Sequence, residues 1–96
     1  MYYDKQGKKL TMLEHIELFG NEAYGQVGKT ELPDGSIVST VWMGIDHGFV
    51  PGEPVIFETM VFDKTGESVE CRRYSTEAEA KAGHTQAVKA WAMILS

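Results

Sequence analysis

Four side chains of the types that do acid-base or metal chemistry stand out in this chain. Asp46 and His47 sit side by side in "TVWMGIDHGF", Glu58 lies inside "VIFETMVF", and His84 falls in the alanine-rich stretch "EAKAGHTQAVKAW". Two imidazoles and two carboxylates that converge can hold zinc or a similar ion and leave one position for water. In that arrangement Glu58 serves as base or ligand, the histidines as ligands or acid, and the loop over 47–54 as a flap. The spacing matches no established metal motif such as H-E-x-x-H, so neither a metal nor another cofactor is expected.

Each of these residues also has a plain structural reading. Alternation along a strand sends Val41, Met43 and Ile45 one way and Trp42 and Asp46 the other, so Asp46 and His47 diverge unless the backbone turns at Gly44 or Gly48. Two polar residues at a strand end then satisfy loop backbone groups. Glu58 shares a face with Ile56, Met60 and Phe62, where an isolated carboxylate is unfavourable; Arg72 or Arg73 on the following strand is the natural partner. His84 lies on the apolar stripe of a helix, where a core histidine bonds a backbone carbonyl or a carboxylate. His15, beside Glu14, is expected to be exposed, and Cys71, alternating with Val69, to be a buried inert thiol.

The elements that must position these groups are readable from turn and cap chemistry. "DKQG", "LPDG" and "DKTG" each place turn-forming residues ahead of a glycine able to take positive φ, which predicts hairpins at 4–7, 33–36 and 63–66. Thr11 and Glu14 have the capping-box spacing, and Leu13, Ile16, Leu18 and Phe19 follow before Gly20-Asn21, predicting a short helix over 11–19. Thr76 and Glu79 repeat the box ahead of an amphipathic helix over 76–95 whose apolar stripe is Ala80, His84, Ala87, Val88, Trp91, Ile94 and Leu95. Strands are predicted at 26–32, 37–46, 55–62 and 67–74. The expected fold is α+β: a four-stranded antiparallel sheet, two hairpins in series, with a short N-terminal helix and a longer C-terminal one covering one face. Gly83 within that helix marks a weak point or a close approach. "HGFVPGEP", with two glycines and two prolines, is an exposed loop of the kind that carries function.

Ninety-six residues make one domain with one core. Fourteen acids against nine bases give a net charge of −5, and no basic stripe is present to neutralise phosphates, which argues against nucleic acid. One cysteine excludes an internal disulfide, and no apolar run approaches the roughly 20 residues of a membrane span. The opening "MYYDKQGKK" lacks the apolar core of a signal peptide, so a cytoplasmic location is expected. Phosphate-binding glycine loops, nucleophile elbows and paired CxxC sequences are also missing.

"STVWMGIDHGF", "IFETMVF", "RRYSTEAEAKAGH" and the opening "MYYD" together resemble a family of small proteins of about this length encoded in bacteriophages and prophages, without an assigned function. The resemblance implies an accessory protein made in the host bacterial cytoplasm, and it supplies no catalytic residues.

The first functional expectation is therefore non-catalytic binding, with a host or defence component bound, inhibited or sequestered. The sheet carries apolar residues on both faces, more than two short helices would cover, so Trp42, Phe57, Phe62 and Tyr74 could form an aromatic patch for a partner. A homodimer through the uncovered sheet face satisfies the same observation. Trp42, Asp46, His47, Phe49, Glu58, Arg73, Tyr74 and His84 are the candidate binding residues. The alternatives are a small-molecule or metal site, hydrolytic in one form, and a minor virion component.

Overall fold

The computed structural model describes residues 1–48 and 52–94. A small hairpin, β1 (Tyr2–Tyr3) and β2 (Lys9–Leu10), leads into α1 (Met12–Phe19) and the single turn α2 (Glu22–Gly25). Then come β3 (Gln26–Glu31), β4 (Ile37–Trp42), β5 (Phe57–Phe62), β6 (Ser68–Tyr74) and α3 (Glu77–Ile94). The four long strands pair in sequence order, all antiparallel. The fold is the α+β arrangement read from the sequence.

Local chemistry explains the boundaries. At each of the three turns the glycine takes positive φ, at Gly7, Gly35 and Gly66, and closes a hydrogen bond back to Asp4, Leu32 or Asp63. The Asp4 and Asp63 carboxylates also accept amide bonds from residues two and four further on. Thr11 and Glu14 form the reciprocal capping box of α1, and Thr76 and Glu79 make the same two bonds before α3. Asn21 caps the unforeseen turn α2 with its side-chain oxygen. Strand β4 ends at Trp42 rather than at 46, because Gly44 turns with φ +75° and Ile45 makes only an isolated bridge to Tyr2.

Register sets the two faces of the sheet. Val38 faces Val61, Thr40 faces Thr59 and Trp42 faces Phe57, and all six are buried beneath α3 and the N-terminal elements. Ile37, Ser39 and Val41 face Phe62, Met60 and Glu58 on the other side, across which no helix packs among the described residues. The covered side holds two apolar clusters. Leu32, Val38, Val61 and Ala87 form one with Val88 and Trp91; Trp42, Ile56, Phe57 and Ala80 form the other with Tyr3, Leu10, Leu18 and Tyr24.

Among the described residues α3 is the helix that lies along the sheet; α1 packs on β1, β2 and α2 instead. It turns His15 inward, 6% exposed, against the expectation that this histidine is exposed. Its ring stacks on Tyr2 at 4.5 Å, and Nε2 donates to the Met43 carbonyl at 3.0 Å. Lys5 ties the hairpin to the rest, pairing with Glu77 at 3.2 Å and lying 4.8 Å over the Tyr24 ring. No helix among the described residues is long and apolar enough to cross a membrane.

Candidate functional site

The structure does not bring Asp46, His47, Glu58 and His84 together. His84 reaches the sheet from the helix side, where its Nδ1 lies 2.7 Å from the Thr40 hydroxyl. Glu58 follows Phe57 and precedes Thr59, both buried on that same side, so its own side chain emerges on the open face. There it accepts from Arg73 Nε at 3.1 Å, one of the two arginines expected on the following strand, set opposite it by the bulge in β6. A sheet separates the two residues, and the four-residue ligand or metal centre does not form. Its physical obstacle is the period of two: Thr59 occupies the inward position, which forces Glu58 outward.

Asp46 is occupied by its own loop. One carboxylate oxygen accepts the amides of Gly48 and Val55, each at 2.8 Å, and these bonds hold its pKa below the ordinary aspartate value. His47 joins the same connection through its backbone amide, which donates to the Val55 carbonyl. Asp46 thus clamps the start of the 47–54 segment with its side chain, and His47 with its backbone amide rather than its ring. Phe49 lies outside the described residues.

His84 is a core histidine, but its partners are neither a carbonyl nor a carboxylate. Nε2 lies 2.9 Å from the Thr30 hydroxyl, and Thr40 in turn lies 2.5 Å from the Thr59 hydroxyl. Three strands and one helix therefore meet in a single chain of hydroxyls and imidazole between the two apolar clusters. Burial lowers the His84 pKa and favours the neutral ring, in which one nitrogen donates and the other accepts. Each hydroxyl can donate to one neighbour and accept from another, so the chain satisfies itself. The chain locks α3 on the sheet.

The expected aromatic patch is likewise dismantled by packing. Trp42 is 2% exposed and donates its indole N–H to the Tyr3 carbonyl at 3.0 Å; Phe57 is fully buried. Tyr74 faces α3, and its hydroxyl is buried with no hydrogen-bond partner among the described residues. It rests on Gly83, where a β-carbon would overlap the phenol ring, so the glycine inside α3 is a site of close approach. Phe62 alone of the four reaches the open face. Cys71, expected to be buried, is exposed on that same face.

What the structure exposes instead is one side of α1. Met12, Leu13, Ile16 and Phe19 are 58%, 71%, 56% and 56% exposed. Phe19 also borders a cleft of about 380 Å³ that runs past Asn21 and Gly25 to Val41 and Met43 and joins the helix to the open sheet face. The sequence signal was present in "MLEHIELF", whose apolar positions surround the helix on more than one side. Which side would be buried depended on His15 finding the Met43 carbonyl, a contact across 28 residues of chain.

Comparison with protein families, with curated proteins and with solved structures finds no match to this chain.

Proposed function

We propose that this protein works by binding another protein without catalysis. The observation that carries the reading is the outward row Met12, Leu13, Ile16 and Phe19 on α1. Four large apolar side chains on an eight-residue helix gain nothing from water, and a contiguous patch of this kind is the usual mark of a binding surface. The cleft at Phe19 gives that row a concave end into which an anchor side chain fits. Glu14, Glu17 and Glu22 frame it, and the bases near it are Lys8 beside Glu14 and Lys29 at the far side of the cleft. A partner that presents apolar anchors flanked by basic residues is complementary on both counts. The resemblance to phage-encoded proteins makes a bacterial host component the natural partner, sequestered or blocked by the contact. Glu58 and His84 lie on opposite faces of the sheet and Asp46 holds its own loop, each in structural bonds, which supports a non-catalytic reading.

The test is a pull-down from bacterial lysate with the wild type and with Ile16→Glu, their folds matched by circular dichroism. A stoichiometric protein retained by the first and lost by the second supports the reading. Native mass spectrometry that instead found a small-molecule or metal adduct, lost in Glu58→Gln or His84→Ala, would sink it.

Self-association is a second reading, favoured by the open sheet face. Ile37, Val41, Met60 and Phe62 are half-buried at its centre, with Lys29, Glu31, Glu58 and Arg73 around them. Two charges of each sign leave that face neutral, unlike the acidic surroundings of α1.

A further inference from the structure

We infer that β6, a free edge of the sheet, pairs with β6 of a second copy in antiparallel fashion about a two-fold axis at Cys71. The inference rests on the self-association reading but moves the contact from the open sheet face to the sheet edge. Among the described residues the strand order leaves β6 with β5 as its one neighbour, and Ser68, Val69, Cys71 and Arg73 along it are exposed. Pairing with β5 places Glu70, Arg72 and Tyr74 on the helix side and Cys71 and Arg73 on the open side.

Side-chain chemistry then selects a register. A two-fold axis normal to the sheet keeps each pleat in phase, so opposed residues must come from the same face, and the axis must pass through a residue. An axis at Glu70 opposes two carboxylates. An axis at Arg72 opposes two guanidinium groups. An axis at Cys71 sets Glu70 against the partner's Arg72 and Arg72 against the partner's Glu70, two opposite-charge cross-strand pairs. Glu70 and Arg72 already form an ion pair within the chain, so the second copy completes a ring of four alternating charges. Charges and bulges ordinarily keep sheet edges apart. Here the charges complement themselves in the central register, while the extra residue at Val69 confines regular pairing to the middle of the strand. The product is one continuous sheet of twice four strands, with both α3 helices on one side and the two open apolar faces side by side on the other.

The experiment combines light-scattering mass over a concentration series with cross-linking of the full chain by a short bismaleimide. The proposal expects a dimer joined through Cys71, because directly opposed β-carbons lie about 5 Å apart. Glu70→Arg and Arg72→Glu should each weaken the dimer about tenfold or more, and the double swap should restore it. Glu70 also accepts from the Trp91 indole, so Cys71→Lys, at an exposed position, serves as the variant that blocks pairing and leaves that bond in place. A strict monomer at every concentration overturns both the pairing and the self-association reading. A dimer that neither cross-links nor responds to Arg72→Glu or Cys71→Lys overturns the β6 register alone and returns the interface to the open sheet face.

Discussion

His84 Nδ1 and the Thr40 hydroxyl, 2.7 Å apart, join the middle of α3 to the centre of the sheet, and Thr40 passes the connection on to Thr59. Thr40 is the hub, fully buried and bonded on both sides. Thr40→Val leaves Thr59 and His84 each short of a partner in a dry site, at a cost of about 1–3 kcal/mol. Thr30→Val, which touches the half-buried end of the chain, should cost less. Chemical denaturation of both variants checks the order.

The same histidine makes stability depend on pH. Burial depresses its folded pKa below the reference of 6.5, so the unfolded chain takes the proton more readily. Its contribution is fully present above about pH 6.5 and declines as pH falls through the depressed folded value. Arg72 and Glu70 are the charged groups nearest in register on that face, Arg72 opposite Thr59. His84→Gln should therefore show a shallower loss of stability on mild acidification than the wild type. Equal slopes in denaturation series on either side of neutrality would remove His84 from the account.

Tyr74 carries a buried hydroxyl with no partner among the described residues. Tyr74→Phe deletes it with little change of shape and should raise stability by about 1 kcal/mol or more. A loss of stability would mean that the hydroxyl has a bond it relies on.

Gly83 accepts the face of that same ring. Gly83→Ala would gain in helix propensity at an ordinary position, but here the added methyl meets the phenol and should destabilise by about 1–3 kcal/mol. Thermal melts decide the sign.

The α1 row can be tested without a partner. Ile16→Ser and Leu13→Ser alter exposed side chains and should leave stability within about 0.5 kcal/mol, whereas Leu18→Ala, which packs against the Trp42 cluster, should lower it clearly. If Ile16→Ser destabilised as much as Leu18→Ala, the row would be core and the proposed binding surface would disappear.

Much of this protein was legible in its residues because the determining interactions are local. Turn glycines after Asp-Lys and Pro-Asp, and hydroxyl-to-carboxylate caps three residues apart, act within a few positions, so they specified the hairpins, the helices α1 and α3 and the α+β arrangement. An arginine partner for Glu58 was readable as well, but not which one: the turn's register alone points to Arg72, and the extra residue at Val69 shifts the pairing to Arg73. The inward side of α3 was legible from its stripe of Ala80, His84, Ala87 and Val88, but only the tertiary structure decided which side of α1 faces inward and which partners the buried polar groups take. His15 is buried by a carbonyl 28 residues away, Trp42 by one 39 away, and His84 by hydroxyls 44 and 54 away. Such contacts carry no sequence period, because α3 and the sheet choose each other by shape and by hydrogen-bond satisfaction. The same packing put Glu58 and His84 on opposite sides of the sheet and left α1 with an apolar surface turned to solvent.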